Sequence, residues 1–407
     1  MYPDVRMRTP EQGGTVQYRS DRYGNPISQL GFGCMRFTKS GGSINYEKAK
    51  AEVVRAMDLG VNYFDTAYIY SGSEDCLGRI LAETGRRSDV RVATKLPQYL
   101  MHSTAGIDKT FRTQLSRLRT DHVDYYLMHM FTDFAEWENL KRLGIEDWFA
   151  AHKADGSVGQ VGFSYHGDVD MFLRILEAYD WDFCQIQYNY LDEHTQAGRA
   201  GLAAAAEKGI PVVIMEPLRG GKLVRLPVAA KDELAASGTG YSPAELGFRW
   251  LLDQPEVACV LSGMNSLEMV EENCRVAATA APGHFTDADR ELVARITGII
   301  REKEKVGCTG CRYCMPCPAG VDIPGTFFYY NLMYIEERKL AARYEFAQNM
   351  GLRKEPGFAS QCVECGKCER HCPQHLDIRA LLKEADRDLR PLPFKAGINL
   401  ARKVMVR

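Results

Sequence analysis

Short apolar segments alternate with amphipathic helical patterns over the first 300 residues, and the alternation repeats eight times. Each apolar segment has five or six residues, the length of a buried strand. The predicted strands are Leu30–Cys34, Val61–Asp65, Val90–Thr94, Val123–Met128, Gly159–Phe163, Phe183–Gln187, Pro211–Met215 and Val257–Leu261. Eight strand-then-helix units in about 250 residues fit an α/β fold, the closed (β/α)₈ TIM barrel. An open doubly wound sheet is the rival, but no Gly-x-Gly-x-x-Gly follows the first strand.

Helical periodicity fills the intervals between these strands. The predicted helices include Tyr46–Leu59, Ile107–Leu118, Val169–Tyr179, Ala244–Leu252 and Ser266–Ala278. One of them begins after Ser242-Pro243, and proline is favoured at the first helical position. Ahead of the first strand, Val16–Tyr18 and Asn25-Pro26 predict a small hairpin placed to plug the barrel floor.

The density of cysteines and the balance of charged residues both change near residue 300. Five of the 13 cysteines are scattered before that point, and the other eight lie between positions 308 and 372. From Arg301 onward there are 19 Lys and Arg against 13 Asp and Glu, whereas the first 300 residues carry 32 against 40. We therefore predict a barrel domain over 1–300, a cysteine-rich domain over 301–390 and a basic tail over 391–407.

Composition argues against several classes of function. The formal net charge of −2 gives no electrostatic reason to expect a nucleic-acid partner. No apolar run reaches the roughly 18 residues of a membrane helix, and the first six residues contain no apolar secretory core. We expect a cytoplasmic protein with no membrane contact, in which clustered cysteines bind metal instead of forming disulfides.

Polar residues follow the predicted strands repeatedly. In a (β/α)₈ barrel the active site is built at the carboxyl ends of the strands. A single polar residue there is usually a helix cap, but seven consecutive strands with one indicate a lined pocket. These residues are Asp65 and Tyr70, Lys95, His129, Ser164, Gln187, Glu216 and Ser262.

The segment from about Gln17 to Ala278 resembles the aldo-keto reductase family. The most specific part is Gly60-Val-Asn-Tyr-Phe-Asp-Thr-Ala-Tyr-Ile-Tyr70, followed by Ser73-Glu74 and Leu77-Gly78. The resemblance implies four catalytic residues: Asp65, Tyr70, Lys95 and His129. It also implies reduction of a carbonyl to an alcohol, or the reverse, with a small-molecule carbonyl or alcohol as substrate.

Elementary chemistry agrees with these four roles. Reducing a carbonyl with hydride leaves an alkoxide that needs a proton, and a tyrosine with a pKa near 10 is a reluctant donor. A neighbouring ammonium, Lys95, is expected to lower the pKa of Tyr70, while Asp65 keeps that ammonium charged and oriented. His129 can donate a hydrogen bond to the carbonyl oxygen. Each residue alone has a structural explanation, but the set of four favours catalysis.

The resemblance also implies an NAD(P)H site. Its residues are Gly33, Cys34, Met35, Ser164, Gln187, Met215, Glu216, Leu218, Arg219, Gly221, Lys222, Ser262, Ser266, Glu272 and Asn273. Among them, Ser164 and Gln187 match residues that hydrogen-bond the nicotinamide carboxamide, and Ser266, Glu272 and Asn273 match positions that hold the adenosine end. Arg219 to Lys222 suit phosphate, because glycines allow close approach and two cations neutralise charge. Met215 stands where an aromatic residue commonly stacks on the nicotinamide, and Met269 where an Arg typically clamps the 2′-phosphate. The choice between NADH and NADPH stays open.

The second cysteine run, Cys362-x₂-Cys365-x₂-Cys368-x₃-Cys372-Pro, matches the bacterial ferredoxin spacing. The first run is one residue shorter before its last cysteine. In two-cluster proteins the fourth cysteine of each run ligates the other cluster. We therefore predict one [4Fe–4S] cluster on Cys308, Cys311, Cys314 and Cys372, and another on Cys317, Cys362, Cys365 and Cys368.

Structural zinc is the alternative for these cysteines, but it usually takes two Cys-x₂-Cys pairs. The 44 residues between the runs are mainly a helical stretch, Thr326–Asn349. That predicts a mainly α-helical ferredoxin-like domain.

Three functions remain open. The clusters could relay electrons to a redox protein partner, with FMN a candidate bridge between hydride and single electrons. They could be structural or redox-sensing elements beside a self-sufficient reductase. The chain could also be a non-catalytic electron-transfer or regulatory protein, which the four-residue set disfavours.

Overall fold

A computed structural model describes residues 15–335, 337–353 and 355–405 of the chain. These residues form two compact units. Unit 1 comprises the described chain up to Pro217 together with Glu245–Phe285, and unit 2 comprises Leu218–Ala244 together with Thr286 and the described residues that follow it. The N-terminal residues examined above for a secretory core lie outside the described residues.

Twelve strands are assigned within the described residues. They are β1 (Tyr18–Ser20), β2 (Pro26–Ser28), β3 (Leu30–Gly33), β4 (Lys39–Ser40), β5 (Ser43–Ile44), β6 (Tyr63–Asp65), β7 (Arg91–Leu96), β8 (Val123–Phe131), β9 (Val158–Tyr165), β10 (Phe183–Gln187), β11 (Val212–Met215) and β12 (Val257–Ser262). Strands β3 and β6 to β12 pair in parallel and close into a barrel, with β12 returning to β3. The predicted TIM barrel is confirmed.

The helices follow the strands along the chain. They are α1 (Tyr46–Asp58), α2 (Ser73–Thr84), α3 (Thr104–Leu118), α4 (Phe134–Arg142), α5 (Ile145–Ala154), α6 (Val169–Glu177), α7 (Gly198–Glu207), α8 (Val228–Ala236), α9 (Pro243–Leu252), α10 (Leu267–Thr279), α11 (Asp287–Lys303), α12 (Ile323–Ile335), α13 (Lys339–Phe346), α14 (Lys367–Arg370), α15 (Ile378–Leu389) and α16 (Leu392–Met405). Within the described chain, no helix is long and apolar enough to cross a bilayer.

The predicted N-terminal hairpin forms two residues later than expected, from β1 and β2. It is tied to the barrel by polar contacts. The guanidinium of Arg19 donates to the carbonyl of Gln254 at 2.7 Å, next to the start of β12. The carboxylate of Asp21 accepts from the hydroxyl of Tyr125, on β8, at 3.0 Å. These contacts hold the hairpin at the amino ends of the strands, opposite the face where the catalytic residues are predicted.

Unit 2 has its own hydrophobic core, to which α12, α13, α15 and α16 contribute. Its longer segment begins at Thr286, ahead of the boundary that we predict at 300, and α11 in this segment packs against α8 and α12. Unit 2 also includes Leu218–Ala244, a segment that sequence order places inside the barrel. We call this segment, Leu218–Ala244, the excursion. Nothing in the sequence indicates that it belongs to unit 2.

One prediction about the C-terminal region needs correction. The helical stretch Thr326–Asn349 is interrupted between α12 and α13, where Glu337 has a left-handed φ of 54° that α-helix does not continue through. The described part of the tail beyond residue 390 is mostly exposed. It forms α16, which buries Ile398 in the core of unit 2 and donates from Arg402 to the carbonyl of Gly351 at 2.7 Å.

Candidate active site and cysteine centres

Asp65 and Lys95 form a buried ion pair at the carboxyl ends of β6 and β7. The Lys95 ammonium lies 2.6 Å from both carboxylate oxygens of Asp65 and 2.7 Å from the carbonyl oxygen of Thr66. Its three protons therefore have three acceptors, which fixes its position. Burial lowers the pKa of Lys95 and raises the pKa of Asp65, and the attraction between them opposes both shifts.

Tyr70 stands beside this pair. The Lys95 ammonium lies 5.2 Å from the centroid of the Tyr70 ring. Burial raises the pKa of Tyr70 well above its usual value, and the carboxylates of Asp65 and Glu216 raise it further. The expected lowering of the Tyr70 pKa is therefore not found in this structure, because burial and the neighbouring carboxylates both favour the neutral phenol. The phenol stays protonated, as a proton donor requires.

His129 completes the group at the end of β8. Its ring meets the Tyr70 ring edge-on, with centroids 5.9 Å apart. Burial lowers the pKa of His129 well below its usual value, and the nearby Lys95 and His166 lower it further. Its Nδ1 is buried with no hydrogen-bond partner among the described residues. The imidazole is therefore neutral, and it can hydrogen-bond a ligand without bringing a charge.

Glu74 supports the catalytic strand, and the sequence analysis assigned it no role. It is buried, and its carboxylate accepts hydrogen bonds from Thr94 at 2.6 Å, Gln114 at 2.9 Å and Arg117 at 3.0 Å. Gln114 also donates to the Lys95 carbonyl at 3.0 Å. Glu74 lies within the Ser73-Glu74 motif, so its place in that motif was the available signal.

The predicted carboxamide-binding residues lie at the ends of neighbouring strands β9 and β10. The hydroxyl of Ser164 accepts from the Met130 amide at 2.8 Å and keeps its own proton to donate. The side chain of Gln187 donates to Asp192 at 3.0 Å and accepts from Gln196 at 2.7 Å. Asp192 and Gln196, which the sequence analysis did not select, fix the amide orientation of Gln187. Both follow β10 in a loop without a recognisable motif.

The residues predicted around the nicotinamide differ in burial and in backbone conformation. Cys34 is buried and Met35 is 43% exposed. A Cβ atom added to Gly33 would lie 3.4 Å from the carbonyl oxygen of Ser262, so β3 and the end of β12 approach closely. Met215 packs against the apolar interior of the barrel, and Glu216 has a left-handed φ of 53° where the chain leaves β11.

The predicted adenosine-binding residues lie around the start of α10. The side chain of Asn273 donates to the Ser262 hydroxyl at 3.1 Å. Ser266 caps α10, accepting from the Met269 amide at 3.3 Å, so its local structural role is filled. Met269 is 46% exposed, and Glu272 is partly buried on the same helix. A nicotinamide-type ligand therefore has polar partners at both predicted ends, without an arginine at position 269.

The first cysteine set comprises Cys308, Cys311, Cys314 and Cys372. Burial raises the pKa of the Cys314 thiol, and the nearby Cys311, Cys308 and Cys372 raise it further. The last cysteine of the second run thus lies near three cysteines of the first, as crossing ligation requires. Burial also raises the pKa of Cys308, and the cations Lys222 and Arg219 oppose that shift.

The second cysteine set comprises Cys317, Cys362, Cys365 and Cys368. All four line one cavity, which Cys314 of the first set also reaches. Within the described residues, no three His, Cys, Asp or Glu side chains converge tightly enough to hold a single metal ion. A four-iron cluster instead needs thiolates spread around a space, and this cavity provides one. The donors present therefore fit an iron–sulfur cluster.

All 13 cysteines are free thiols. The five outside the two sets are buried in unit 1; they are Cys34, Cys76, Cys184, Cys259 and Cys274. Burial raises the pKa of each of these thiols, so they behave as small apolar residues.

Comparison with known proteins agrees with both halves of the chain. The sequence profile of the aldo/keto reductase family matches residues 29–282, and that of the 4Fe-4S dicluster domain matches residues 307–376. The chain belongs to the aldo/keto reductase family. It is an oxidoreductase of that family with an iron–sulfur domain at its C-terminal end.

Individual relatives match the barrel. An aldo-keto reductase of Schizosaccharomyces pombe, yakc [NADP(+)], is 24% identical over 61% of this chain and 83% of its own length. L-galactose dehydrogenase of Arabidopsis thaliana is 27% identical over 68% of this chain and 92% of its own length. The holo structure of aldo-keto reductase AKR11C1 from Bacillus halodurans superimposes with a TM-score of 0.56 at 26% identity, covering 69% of this chain and 96% of that one.

One loop of this aldo/keto reductase contacts the segment that leads into the first cysteine run. Its cations Arg219 and Lys222 are predicted to suit phosphate. In the structure Arg219 lies 2.6 Å from the carboxylate of Glu304, and Lys222 donates to the Cys308 carbonyl. Both cations are thus engaged by the segment that leads into the first cysteine run. Their assignment to the nicotinamide cofactor stays a prediction.

Proposed function

We propose that the barrel catalyses NAD(P)H-dependent reduction of a small-molecule aldehyde or ketone, or the reverse oxidation of an alcohol. The observation that carries this proposal is the buried Asp65–Lys95 ion pair beside Tyr70 and His129. A purely structural barrel has no need for a fully buried lysine held by three acceptors, since burying an ion pair seldom stabilises a fold.

Each of the four residues has its own role in the proposed reaction. A bound reduced nicotinamide supplies hydride to the carbonyl carbon. As the carbon–oxygen π bond breaks, the Tyr70 hydroxyl gives its proton to the oxygen, and Lys95 stabilises the phenolate that remains. Asp65 holds Lys95 in place. Neutral His129, buried beside Tyr70, positions the carbonyl oxygen through a hydrogen bond.

Ser164 and Gln187 would hold the nicotinamide carboxamide, which needs one acceptor and one donor. The relative from Schizosaccharomyces pombe carries NADP(+) in its name. This chain has Met269 where the 2′-phosphate would need a charge-assisted partner. Our proposal therefore covers NADH and NADPH alike.

Turnover assays test this proposal. Anaerobically purified protein would be mixed with NADH or NADPH and a panel of aldehydes, ketones and alcohols, and nicotinamide absorbance followed. We expect Tyr70→Phe to lower kcat by about 10²- to 10⁴-fold, the range for a lost general acid. Tyr68→Phe is the matched control, since Tyr68 stacks on Arg117 outside the catalytic group. Wild-type protein inactive with every substrate would contradict the proposal and favour the non-catalytic function.

For unit 2 we propose two [4Fe–4S] clusters that carry electrons between the barrel and a redox protein partner. Each cluster exchanges one electron, so two together match the two electrons of a hydride. Cys365, in the second set, is exposed, which would bring that cluster within reach of a partner. FMN stays the candidate that would split a hydride into single electrons.

A structural role is the second candidate for the clusters. It is favoured by packing: six of the eight cysteines contact the hydrophobic core of unit 2, namely Cys308, Cys314, Cys317, Cys362, Cys368 and Cys372. Adding NAD(P)H or an alcohol substrate to the oxidised protein distinguishes the two roles. Bleaching of the cluster absorbance supports electron transfer. Unchanged clusters during full catalytic turnover would favour the structural role.

A further inference from the structure

The chain turns sharply where it enters unit 2. Arg219, Gly220 and Gly221 have left-handed φ values of 51°, 68° and 90°. Such a run is accessible mainly because two of the three residues are glycines. The turn brings Arg219 and Lys222 to the same stretch of chain, residues 304–308, just ahead of and including the first cysteine.

The two cations make different contacts there. Arg219 is paired with Glu304 at 2.6 Å, with side chains 6% and 12% exposed, and also donates to the Gly307 carbonyl at 3.3 Å. Lys222 donates to the carbonyl of Cys308 itself. Arg219 is therefore tied to the segment just ahead of Cys308, and Lys222 places its ammonium on the backbone of a predicted cluster ligand.

From this geometry we infer that Lys222 is a redox-tuning residue, which raises the reduction potential of the cluster held by the first cysteine set. Reduction adds one negative charge to the cluster, and a nearby cation stabilises that charge more than it stabilises the oxidised form. The second cysteine set has no part in the contact between Lys222 and the Cys308 carbonyl, so its cluster would be affected much less.

This inference deepens the proposed function, because it rests on clusters being present. It also gives the loop Arg219–Lys222 a role distinct from phosphate binding. Lys222, which follows β11 in the chain, would then set how readily the cluster of the first cysteine set accepts an electron.

A potentiometric titration of the holoprotein, followed by electron paramagnetic resonance of the reduced clusters, tests it. We expect Lys222→Met to lower the potential of one cluster. The shift should be on the order of a tenfold change in the ratio of reduced to oxidised cluster, as for a unit charge within about 12 Å at an effective dielectric near 20. Tenfold corresponds to about 59 mV for one electron. Lys222→Arg should keep the wild-type potential.

Two further variants separate charge from packing. Lys231→Met removes an exposed cation from α8 in the same excursion and should shift neither cluster. The double variant Arg219→Gln with Glu304→Gln removes the ion pair that holds this loop against residues 304–308, without changing the net charge. It should shift the potential much less than Lys222→Met. An equal shift in the double variant would mean that packing, not charge, is responsible.

Iron content distinguishes failure of this inference from failure of the proposed function. A holoprotein with two four-iron clusters whose potentials are unchanged in Lys222→Met, or change equally, overturns the inference alone. A chain that cannot assemble iron–sulfur clusters overturns both.

Discussion

Lys95 and Asp65 carry opposite charges in a site where each is almost fully buried. Removing one partner leaves an uncompensated buried charge, which typically costs about 3–5 kcal/mol. We therefore expect Lys95→Met to be destabilised by an amount of this order. The double variant with Asp65→Asn should recover most of that loss but no activity. Urea unfolding and turnover of the single and double variants measure the two effects.

The opposite result would contradict this account of the ion pair. If Lys95→Met and the double variant have the same stability, then Asp65 is not held as a charged partner. The buried pair would then have to be described as neutral in the protein.

His166 offers a pH test of the same region. Burial lowers its pKa to about 4, against about 6.5 in an unfolded chain. Between these values the unfolded state binds a proton that the folded state does not, so stability falls as the pH drops from 6.5 to 4. The shift corresponds to a loss of about 3 kcal/mol. His166→Gln should lose less stability than the wild type between pH 7 and pH 4.5.

Urea unfolding of the wild type and of His166→Gln at each pH provides this comparison. A His166→Gln variant with the wild-type pH dependence would show that His166 does not contribute to the acid sensitivity.

At the scale of elements, the sequence predicted the barrel strands to within two or three residues at most ends. Strand β10 has the predicted bounds, because its run of apolar residues ends at the pocket residue Gln187. Strands β8 and β9 continue past the predicted ends to Phe131 and Tyr165, since pairing between them continues beyond His129. Tertiary pairing of this kind leaves no local signal in the sequence.

The crossing of the two cysteine runs is also a property of elements. If Cys317 belongs to the second set, then Cys317→Ser and Cys362→Ser each leave the same cluster with three cysteines. We expect these two variants to give matching residual spectra, with one intact four-iron cluster. Cys308→Ser and Cys372→Ser should match each other and differ from the first pair.

Iron analysis and electron paramagnetic resonance of the four variants provide the measurement. A Cys317→Ser spectrum that matches Cys308→Ser would mean that each run holds its own cluster. The ligand sets would then have to be exchanged.

For the whole molecule, the sequence separates an acidic barrel from a basic cysteine-rich region at residue 300, whereas the two compact units divide at Thr286. Helix α11 begins before the predicted boundary, yet it contacts α8 and α12, which belong to unit 2. That the excursion, Leu218–Ala244, belongs to unit 2 is even harder to predict from the sequence. Its attachment depends on the ion pair between Arg219 and Glu304 and on the packing of Arg225 over Phe328, 5.4 Å from the ring centroid. Residues separated by about 80 to 100 positions cannot be matched by reading a single sequence.

That attachment makes iron removal a test of how the chain is organised. Six cluster cysteines pack against the core of unit 2, so stripping iron should loosen that unit as a whole. We therefore expect trypsin to cut the iron-free protein rapidly after Arg225 and Lys231, although both lie between barrel strands in sequence. Cleavage after Arg199, an exposed residue of α7 in unit 1, should be unchanged and serves as the control. Mass spectrometry of the fragments identifies the sites, and equal resistance at Arg225 and Lys231 with and without iron would show that unit 2 holds its fold without clusters.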